Sequence, residues 1–218
     1  MMNDIYFINK FREWGREIWK HKYLILMSIV MLIIAIIINY FAGIYVMNKA
    51  KVQQVPDLIL DHFGPYNLSY IFVWGFIVII GVALIYCLFF NIKRLHTAIA
   101  QFSLLTIIRA LFIILTHLKT PTDAIAGKFP WILHNLRFEN DMFFSGHVAV
   151  PFLGFLVFKE SKIRYFFLIS SIVMAITVLG MHQHYSIDVF AAFFITYGSY
   201  KIAGKLFEKI EGFLKEKY

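Results

Sequence analysis

Residues 23–47 read YLILMSIVMLIIAIIINYFAGIYVM, an apolar stretch that contains no charged side chain. The hydrocarbon core of a bilayer is about 30 Å thick and takes about 20 helical residues to cross. The stretch therefore predicts a membrane-spanning helix. Five more apolar stretches follow, so the chain is predicted to be an all-α, polytopic membrane protein with six transmembrane helices: Lys22 to Met47, Tyr70 to Phe90, Leu95 to Leu118, Met142 to Phe158, Arg164 to Met181 and His184 to Phe207.

The composition of the whole chain agrees with a membrane protein. Of its 218 residues, 60% are hydrophobic and 16% are charged, whereas a soluble domain has about 45–50% apolar and about 25% charged residues. These values exclude a disordered chain, a nucleic-acid-binding domain and an ordinary cytosolic enzyme. Cys87 is the only cysteine, so an intramolecular disulfide cannot form.

The first 22 residues carry a different pattern. Four large apolar residues recur at intervals of three and four, with basic residues between them: Phe7, Phe11, Trp14 and Ile18. This spacing is typical of an amphipathic helix at the membrane surface, and a cytosolic aromatic tail is the alternative. Two parts are therefore predicted, an interfacial helix in residues 1–22 and one six-helix membrane catalytic domain in residues 23–218.

The chain carries a net charge of +8, and its basic residues are distributed unevenly between the two sides of the predicted bundle. With the N-terminus in the cytoplasm, 15 Lys and Arg residues fall on the cytoplasmic side and five on the opposite side. Cytoplasmic loops of membrane proteins are enriched in these residues. Both termini of this multi-pass protein are therefore predicted to be cytoplasmic.

Four ionisable residues lie in or at the ends of the apolar stretches: Arg109, His147, His184 and Asp188. Such residues are costly inside a membrane and are candidates for function. In the predicted orientation all four lie in the outer half of the membrane. His184 and Asp188 are four residues apart and share one face of a helix, where the carboxylate can accept the imidazole N–H. The other ring nitrogen is then free as a nucleophile or base, while a polar pair at the membrane rim is the alternative.

Two further patterns predict a phosphate site. In Ser145-Gly146-His147, the start of a helix offers free backbone N–H groups, which favour an anion. Arg109 and Thr116 are seven residues apart and would present a guanidinium and a hydroxyl to the same volume. A structural arginine that binds carbonyls is the alternative for Arg109. A zinc site is a further alternative with four candidate ligands: His147, His182, His184 and Asp188.

These motifs resemble those of a known enzyme family. FSGH followed by HxxxD is similar to the PAP2 (phosphatidic acid phosphatase type 2) superfamily, and DMFFSGHVAV with HQHYSIDVFAAFFIT resembles its sphingomyelin synthase branch. Three residues also match the R-x6-T-x-L motif of that branch, so the resemblance covers residues 95–197: Arg109, Thr116 and Leu118. It implies that three residues are catalytic: His147, His184 and Asp188.

The resemblance also implies the remaining roles. Arg109, Ser145 and Gly146 would bind the substrate phosphate, and no metal or cofactor would be needed. Four other residues are secondary candidates for the site: Thr116, Asp141, His182 and Tyr185. The implied partners are a phospholipid donor and a lipid alcohol acceptor in the membrane, with no nucleic acid, and a homo-oligomer stays open.

The sequence also departs from the family. Val148 and Asn140 stand where the synthase branch has Thr and Gly, and four residues replace the Lys, the Pro and the Ser-Arg pair of the lipid phosphatases: Phe102, Phe144, Thr177 and Val178. One obvious cation, Arg109, remains. One guanidinium matches the single negative charge of a phosphodiester better than the charge of a phosphomonoester, which is about −1.5 to −2. Three outer-loop residues could add positive charge: Lys119, Lys128 and Arg137.

The sequence therefore predicts an integral-membrane lipid phosphotransferase, similar to sphingomyelin synthase, with its active site toward the outer leaflet. It would move a phospho-headgroup to a ceramide-like or diacylglycerol-like alcohol through a phosphohistidine-type intermediate. The nearest alternative is a lipid phosphatase or phospholipase C-type hydrolase that uses the same residues with water as acceptor. A transporter is a third alternative, but a transport path would place polar groups through the full depth of the bilayer.

Overall fold

The structure of the chain, a computed structural model, describes residues 12, 14–48, 51–130 and 138–217. These residues form helices and loops without a strand, which confirms the all-α class. Residues 14–20 are helical, whereas most of the predicted interfacial helix lies outside the described residues. The main helices in the described part are α1 Lys22–Met47, α2 Ile71–Phe90, α3 Leu95–Leu115, α4 Gly146–Val157, α5 Ile163–Gly180 and α6 Ser186–Lys217.

Several of these helices have the length and composition that a membrane requires. In the described part of the chain, four helical stretches qualify: Lys22–Met47, Ile71–Phe90, Ile92–Leu115 and Ile163–Gly180. α4, with 12 residues, is apolar but shorter, and α6 is not among the four. The length and composition of these helices thus support the assignment as a membrane protein. That the chain crosses the membrane six times stays a prediction.

α1 packs on α3 through a stripe of small residues. Ser28, Ala35 and Ala42 are each seven residues apart, so they lie on one face of α1, and all three are buried. Ile33 and Ile37 lie on other faces and are about half exposed, at 52% and 49%. Small residues let two helices approach closely in a membrane, where lipid tails are as apolar as a protein core. The apolar residues of α1 therefore face outward, toward the position of the lipid.

α2 changes its helical geometry near both of its ends. A regular α-helix, Phe76–Ile85, lies between two π-helical turns, Ile71–Gly75 and Tyr86–Phe90. π-turns are rare and frequently occur at functional sites. The first of them carries Phe72, which packs in the site described below.

α4 lies in the interior and packs against α5 and α6. Its residues Val148 and Leu153 are buried. At Gly154 the backbone approaches α5 so closely that a Cβ atom would lie 2.7 Å from the ring of Phe167. A larger residue would force the Phe167 ring to shift, so glycine permits the close contact that positions α4.

The loops at one end of the bundle, called the site end, are connected to one another. They are residues 51–59, 116–125, 138–145 and 181–185. The N–H of Lys119 donates to the carbonyl of Gln53 at 2.9 Å. The N–H of Thr120 donates to Oδ1 of Asn140, and the N–H of Asn140 donates to Oγ1 of Thr120, both at 3.0 Å. These bonds join loops that are far apart in sequence.

Candidate active site

A polar cavity of about 450 Å³ lies at the site end. Three of the predicted residues line it, one from each of three segments: Arg109 of α3, His147 of α4 and His184 of the turn before α6. Asp141, a secondary candidate, also lines it. The structure therefore brings together residues that the sequence places up to 75 positions apart, between Arg109 and His184.

His184 is oriented by Asp188. Nδ1 of His184 lies 3.1 Å from Oδ2 of Asp188, and the carboxylate is fully buried. An ionised carboxylate only accepts hydrogen bonds, so the proton is on Nδ1 and the lone pair is on Nε2. The same Oδ2 accepts the N–H of Tyr185 at 3.2 Å, which fixes the carboxylate at the start of α6.

His147 is held between two aromatic rings of α2. Its ring centroid lies 4.0 Å from that of Phe72, at an interplanar angle of 16°, and 4.2 Å from that of Phe76. Nε2 of His147 is buried and has no hydrogen-bond partner among the described residues. The two rings fix the plane of the imidazole and leave this nitrogen to bind a ligand in the cavity.

The start of α4 is attached to the start of α6. The N–H of Ser145 donates to the carbonyl of Asp188 at 3.3 Å, and the N–H of Ala149 donates to Ser145 at 3.0 Å as the first bond of α4. The preceding N–H groups of this helix have no partner within it. A helix start of this kind suits an anion, but of the Ser-Gly-His tripeptide only His147 lines the cavity, so phosphate binding by Ser145 and Gly146 stays a prediction. The Ser145 hydroxyl is buried, has no hydrogen-bond partner in the described part of the chain and does not line the cavity.

Arg109 makes three contacts through its guanidinium. Nε donates to the carbonyl of Phe144 at 3.1 Å, Nη1 lies 3.4 Å from Oδ1 of Asn39, and Nη2 lies 2.9 Å from Oδ2 of Asp141. A Cβ atom at Gly146 would lie 3.2 Å from Nε, so a glycine here lets the guanidinium pack beside the helix start. Arg109 is thus both a structural arginine and part of the cavity wall.

Two secondary candidates do not face the cavity. α3 ends at Leu115, and Thr116 is extended, with φ −113° and ψ 119°. Its hydroxyl donates to the carbonyl of Phe112 at 2.8 Å and does not line the cavity, so the expectation that Thr116 and Arg109 present their polar groups to the same volume is wrong. The hydroxyl of Tyr185 donates to the carbonyl of Lys119 at 2.9 Å, which is a structural contact between loops.

His182 forms a second histidine–carboxylate pair. Nδ1 of His182 lies 2.8 Å from Oδ2 of Asp123, and the histidine is 2% exposed. It does not line the cavity that His147 and His184 share, so it cannot join them in the zinc site considered above. No group of three or more metal-ligating side chains is found in the part of the chain that the structure describes.

The charges around the cavity are balanced among the described residues. Lys119 lines the wall together with Arg109, and two carboxylates face them, those of Glu139 and Asp141. Of the two other predicted loop cations, Lys128 does not line the cavity, and Arg137 lies outside the described residues. Phe102, at the position of the phosphatase lysine, lines a different, apolar cavity.

The structure also explains two departures from the family motifs. Asn140 has φ 61°, a left-handed conformation that glycine favours and that asparagine tolerates best among the other residues. Val148 is fully buried in the core and does not line the cavity. Of the two side chains, only that of Asn140 lines the cavity, and its amide oxygen accepts the N–H of Thr120.

Sequence reasoning missed Asp57, which holds a loop against the start of α6. Its Oδ1 accepts the N–H groups of Ile59 and Leu60 at 2.9 and 3.1 Å, and its Oδ2 accepts the N–H of Ser186 at 2.7 Å. Burial acts to raise the pKa of this carboxyl, but the bonds from these N–H groups outweigh it and hold the pKa below the usual 3.8. The signal in the sequence is an Asp before a short helical turn, and its partner Ser186 is 129 residues away.

One comparison with known protein families matches the part of the chain that carries His147, His184 and Asp188. Residues 140–204 match the family model described as PAP2 superfamily C-terminal, and this range includes His147, His184 and Asp188. The match supports the PAP2 superfamily, whose members are phosphatases and phosphotransferases, and therefore an enzyme that acts on phosphate esters. No match is found among curated proteins or among solved structures. The resemblance to the sphingomyelin synthase branch rests on the motifs alone.

Proposed function

We propose that this protein is a membrane-embedded lipid phosphotransferase that moves a phospho-headgroup from a phospholipid to a ceramide-like or diacylglycerol-like alcohol. The observation that carries the proposal is the shared cavity of His147 and His184, in which Asp188 fixes the ring orientation of His184. One histidine can serve as nucleophile and the other as acid and base.

In the first half-reaction, Nε2 of His184 attacks the phosphorus of the phospholipid headgroup. The P–N bond forms while the P–O bond to the glycerol oxygen breaks. His147, in its protonated form, gives its Nε2 proton to that oxygen, and diacylglycerol leaves. The guanidinium of Arg109 and the free N–H groups at the start of α4 bind the non-bridging oxygens, where negative charge develops.

In the second half-reaction, the acceptor hydroxyl gives its proton to His147, and its oxygen attacks the phosphorus. The P–N bond to His184 breaks, so both histidines return to their initial states. An acceptor held in the cavity reacts faster than free water because its orientation is fixed before the reaction.

The balance of charge in the cavity favours a phosphodiester donor. Two cations and two carboxylates line the described wall, so these four groups cancel, and the protonated His147 of the first half-reaction adds one positive charge. A phosphomonoester brings about −1.5 to −2 charges, which Lys119 and an Arg109 already paired with Asp141 compensate poorly. A phosphodiester brings one negative charge, and a zwitterionic headgroup brings none in sum.

A transfer assay tests the proposal. Purified protein in vesicles receives a headgroup-labelled phospholipid, first alone and then with ceramide or diacylglycerol. We expect slow release of label alone, and transfer into a new lipid with one diacylglycerol formed per label moved when ceramide is added. Rapid hydrolysis that no alcohol acceptor changes would overturn transfer and favour the hydrolase alternative.

Variants assign the reaction to the site. His184→Ala should abolish transfer while the protein still folds, whereas His117→Ala should retain it, since His117 is exposed at the same end and does not line the cavity. Full activity in His184→Ala would rule out a phosphohistidine at this residue. Activity that persists after EDTA treatment would separately exclude the metal-site alternative.

A further inference from the structure

A second cavity of about 300 Å³ lies between the helices and is lined almost only by apolar side chains. α1, α2, α3, α4 and α5 all contribute to its wall. Its lining includes two small residues, Ala83 and Ala98, and the only cysteine, Cys87. No charged side chain belongs to the described wall, in contrast to the polar cavity.

The apolar cavity is lined by two of the helices that also line the polar one. Phe102 in its wall is seven residues before Arg109 on α3, which is about 10 Å along a helix that rises 1.5 Å per residue. On α4, Val150 in its wall is three residues after His147. The same two helices therefore line the polar cavity at the site end and the apolar cavity deeper in the bundle.

One side of the apolar cavity is open toward the position of the lipid, and its inner wall is closed. Ile36 and Leu84 in the wall are 51% and 52% exposed. Three other wall residues are almost fully buried: Cys87 at 4%, Val157 at 4% and Phe167 at 1%. A hydrocarbon chain that enters the cavity sideways from the bilayer thus meets a wall of buried side chains.

We infer that this cavity holds one hydrocarbon chain of the lipid whose polar end occupies the polar cavity, an inference that rests on the proposed function. From His147 to Val157 is ten residues, or about 15 Å. That is half of a hydrocarbon core of about 30 Å, the depth that one acyl chain of a bilayer lipid reaches. Lipid tails are as apolar as the wall, so the cavity selects by length and shape, not by hydrophobicity.

Filling the cavity tests this inference by enzyme kinetics. Ala83→Leu and Ala98→Leu add volume to the wall, whereas Gly81→Leu is a matched control on α2, where a Cβ atom would meet nothing within 4 Å. With palmitoyl lipids, we expect kcat/KM to fall at least about fivefold in the two filling variants. With hexanoyl lipids the filling variants and the control should react at the wild-type rate. Equal losses with both chain lengths would overturn the inference.

Photo-crosslinking tests occupancy without turnover. A phospholipid with a diazirine at the end of one palmitoyl chain should label peptides around Cys87 and Leu95 of the wild-type protein, and Ala98→Leu should remove that label. Labelling confined to exposed residues of α1, such as Ile33, would show only surrounding lipid and would overturn the inference. Labelling of the cavity in a protein that transfers no headgroup would refute the proposed function and retain the lipid-chain site.

Discussion

Asp57→Asn is the substitution whose effect the structure specifies best. The carboxylate accepts three backbone N–H groups, two with Oδ1 and one, from Ser186, with Oδ2. An amide has one acceptor oxygen. If that oxygen keeps the two bonds within the loop, the new NH₂ group faces the N–H of Ser186, and the start of α6 loses its bond to the loop.

The loss in the free energy of unfolding that Asp57→Asn causes follows from the kind of hydrogen bond that is lost. A hydrogen bond to a charged acceptor contributes about 1.5–3 kcal/mol to the free energy of unfolding. For a chain of this size, 1 kcal/mol shifts the melting temperature by about 2–4 °C. Asp57→Asn should therefore melt about 3–12 °C below the wild type at neutral pH, as measured by thermal unfolding in detergent.

The same difference should depend on pH. The pKa of Asp57 is lower in the folded protein than its usual value of 3.8. A lowered pKa means that the carboxylate contributes its full stabilisation above the unfolded pKa and loses it as the pH falls through the folded pKa. The gap between the two melting temperatures should thus be constant near pH 7 and shrink below about pH 4.

Asp61→Asn is the matched control, because Asp61 lies in the short helical turn that follows the loop and, within the described part of the chain, accepts only the N–H of Asp57, at 3.2 Å. The asparagine oxygen can still accept that bond, so the melting temperature should change little. Equal shifts for Asp57→Asn and Asp61→Asn, or a gap that persists in acid, would refute the role assigned to the Asp57 carboxylate.

Three other substitutions test separate features. Asn140→Ala should destabilise the protein by about 1–2 kcal/mol because φ is 61° at this residue, and Asn140→Gly should cost less; equal melting temperatures would contradict the backbone argument. Gly154→Ala should cost about 1–3 kcal/mol, since its Cβ atom would overlap an aromatic ring of α5, and a wild-type unfolding curve would refute that contact. Cysteines at the exposed Leu58 and Lys201, in a cysteine-free background, should react with an impermeant maleimide from opposite sides of the membrane; reaction from one side would contradict the proposed topology.

Local patterns in the sequence predicted the parts of the site that lie close together along the chain. His184 and Asp188 were predicted as a pair from their spacing of four residues, and Nδ1 of His184 lies 3.1 Å from Oδ2 of Asp188. The expectation that the two share a helical face is wrong, because α6 begins at Ser186 and His184 lies in the turn before it. Ser145 precedes the first residue of α4, as the tripeptide indicated. The bounds of α1, Lys22 and Met47, were also predicted, because the hydrophobic run ends at both positions.

Contacts between distant segments were not predictable in this way. The sequence gives no periodicity that pairs Asp57 with Ser186 or places Phe72 on the ring of His147. The predicted third helix was three residues too long because Leu118 is apolar, although the helix ends at Leu115. Hydropathy reports the preference for lipid and does not mark where the backbone leaves the helix.

The π-turn at the start of α2 has a consequence for the register of that helix. A turn with i→i+5 bonds contains one residue more than an α-turn, and each residue of an α-helix rotates the chain by about 100°. A helical wheel drawn through Ile71–Phe90 as one α-helix would therefore assign residues on the two sides of Ile71–Gly75 to the wrong faces. Deleting a single residue from this turn would return it to an α-turn, so the residues before and after the turn would keep the faces that they present now.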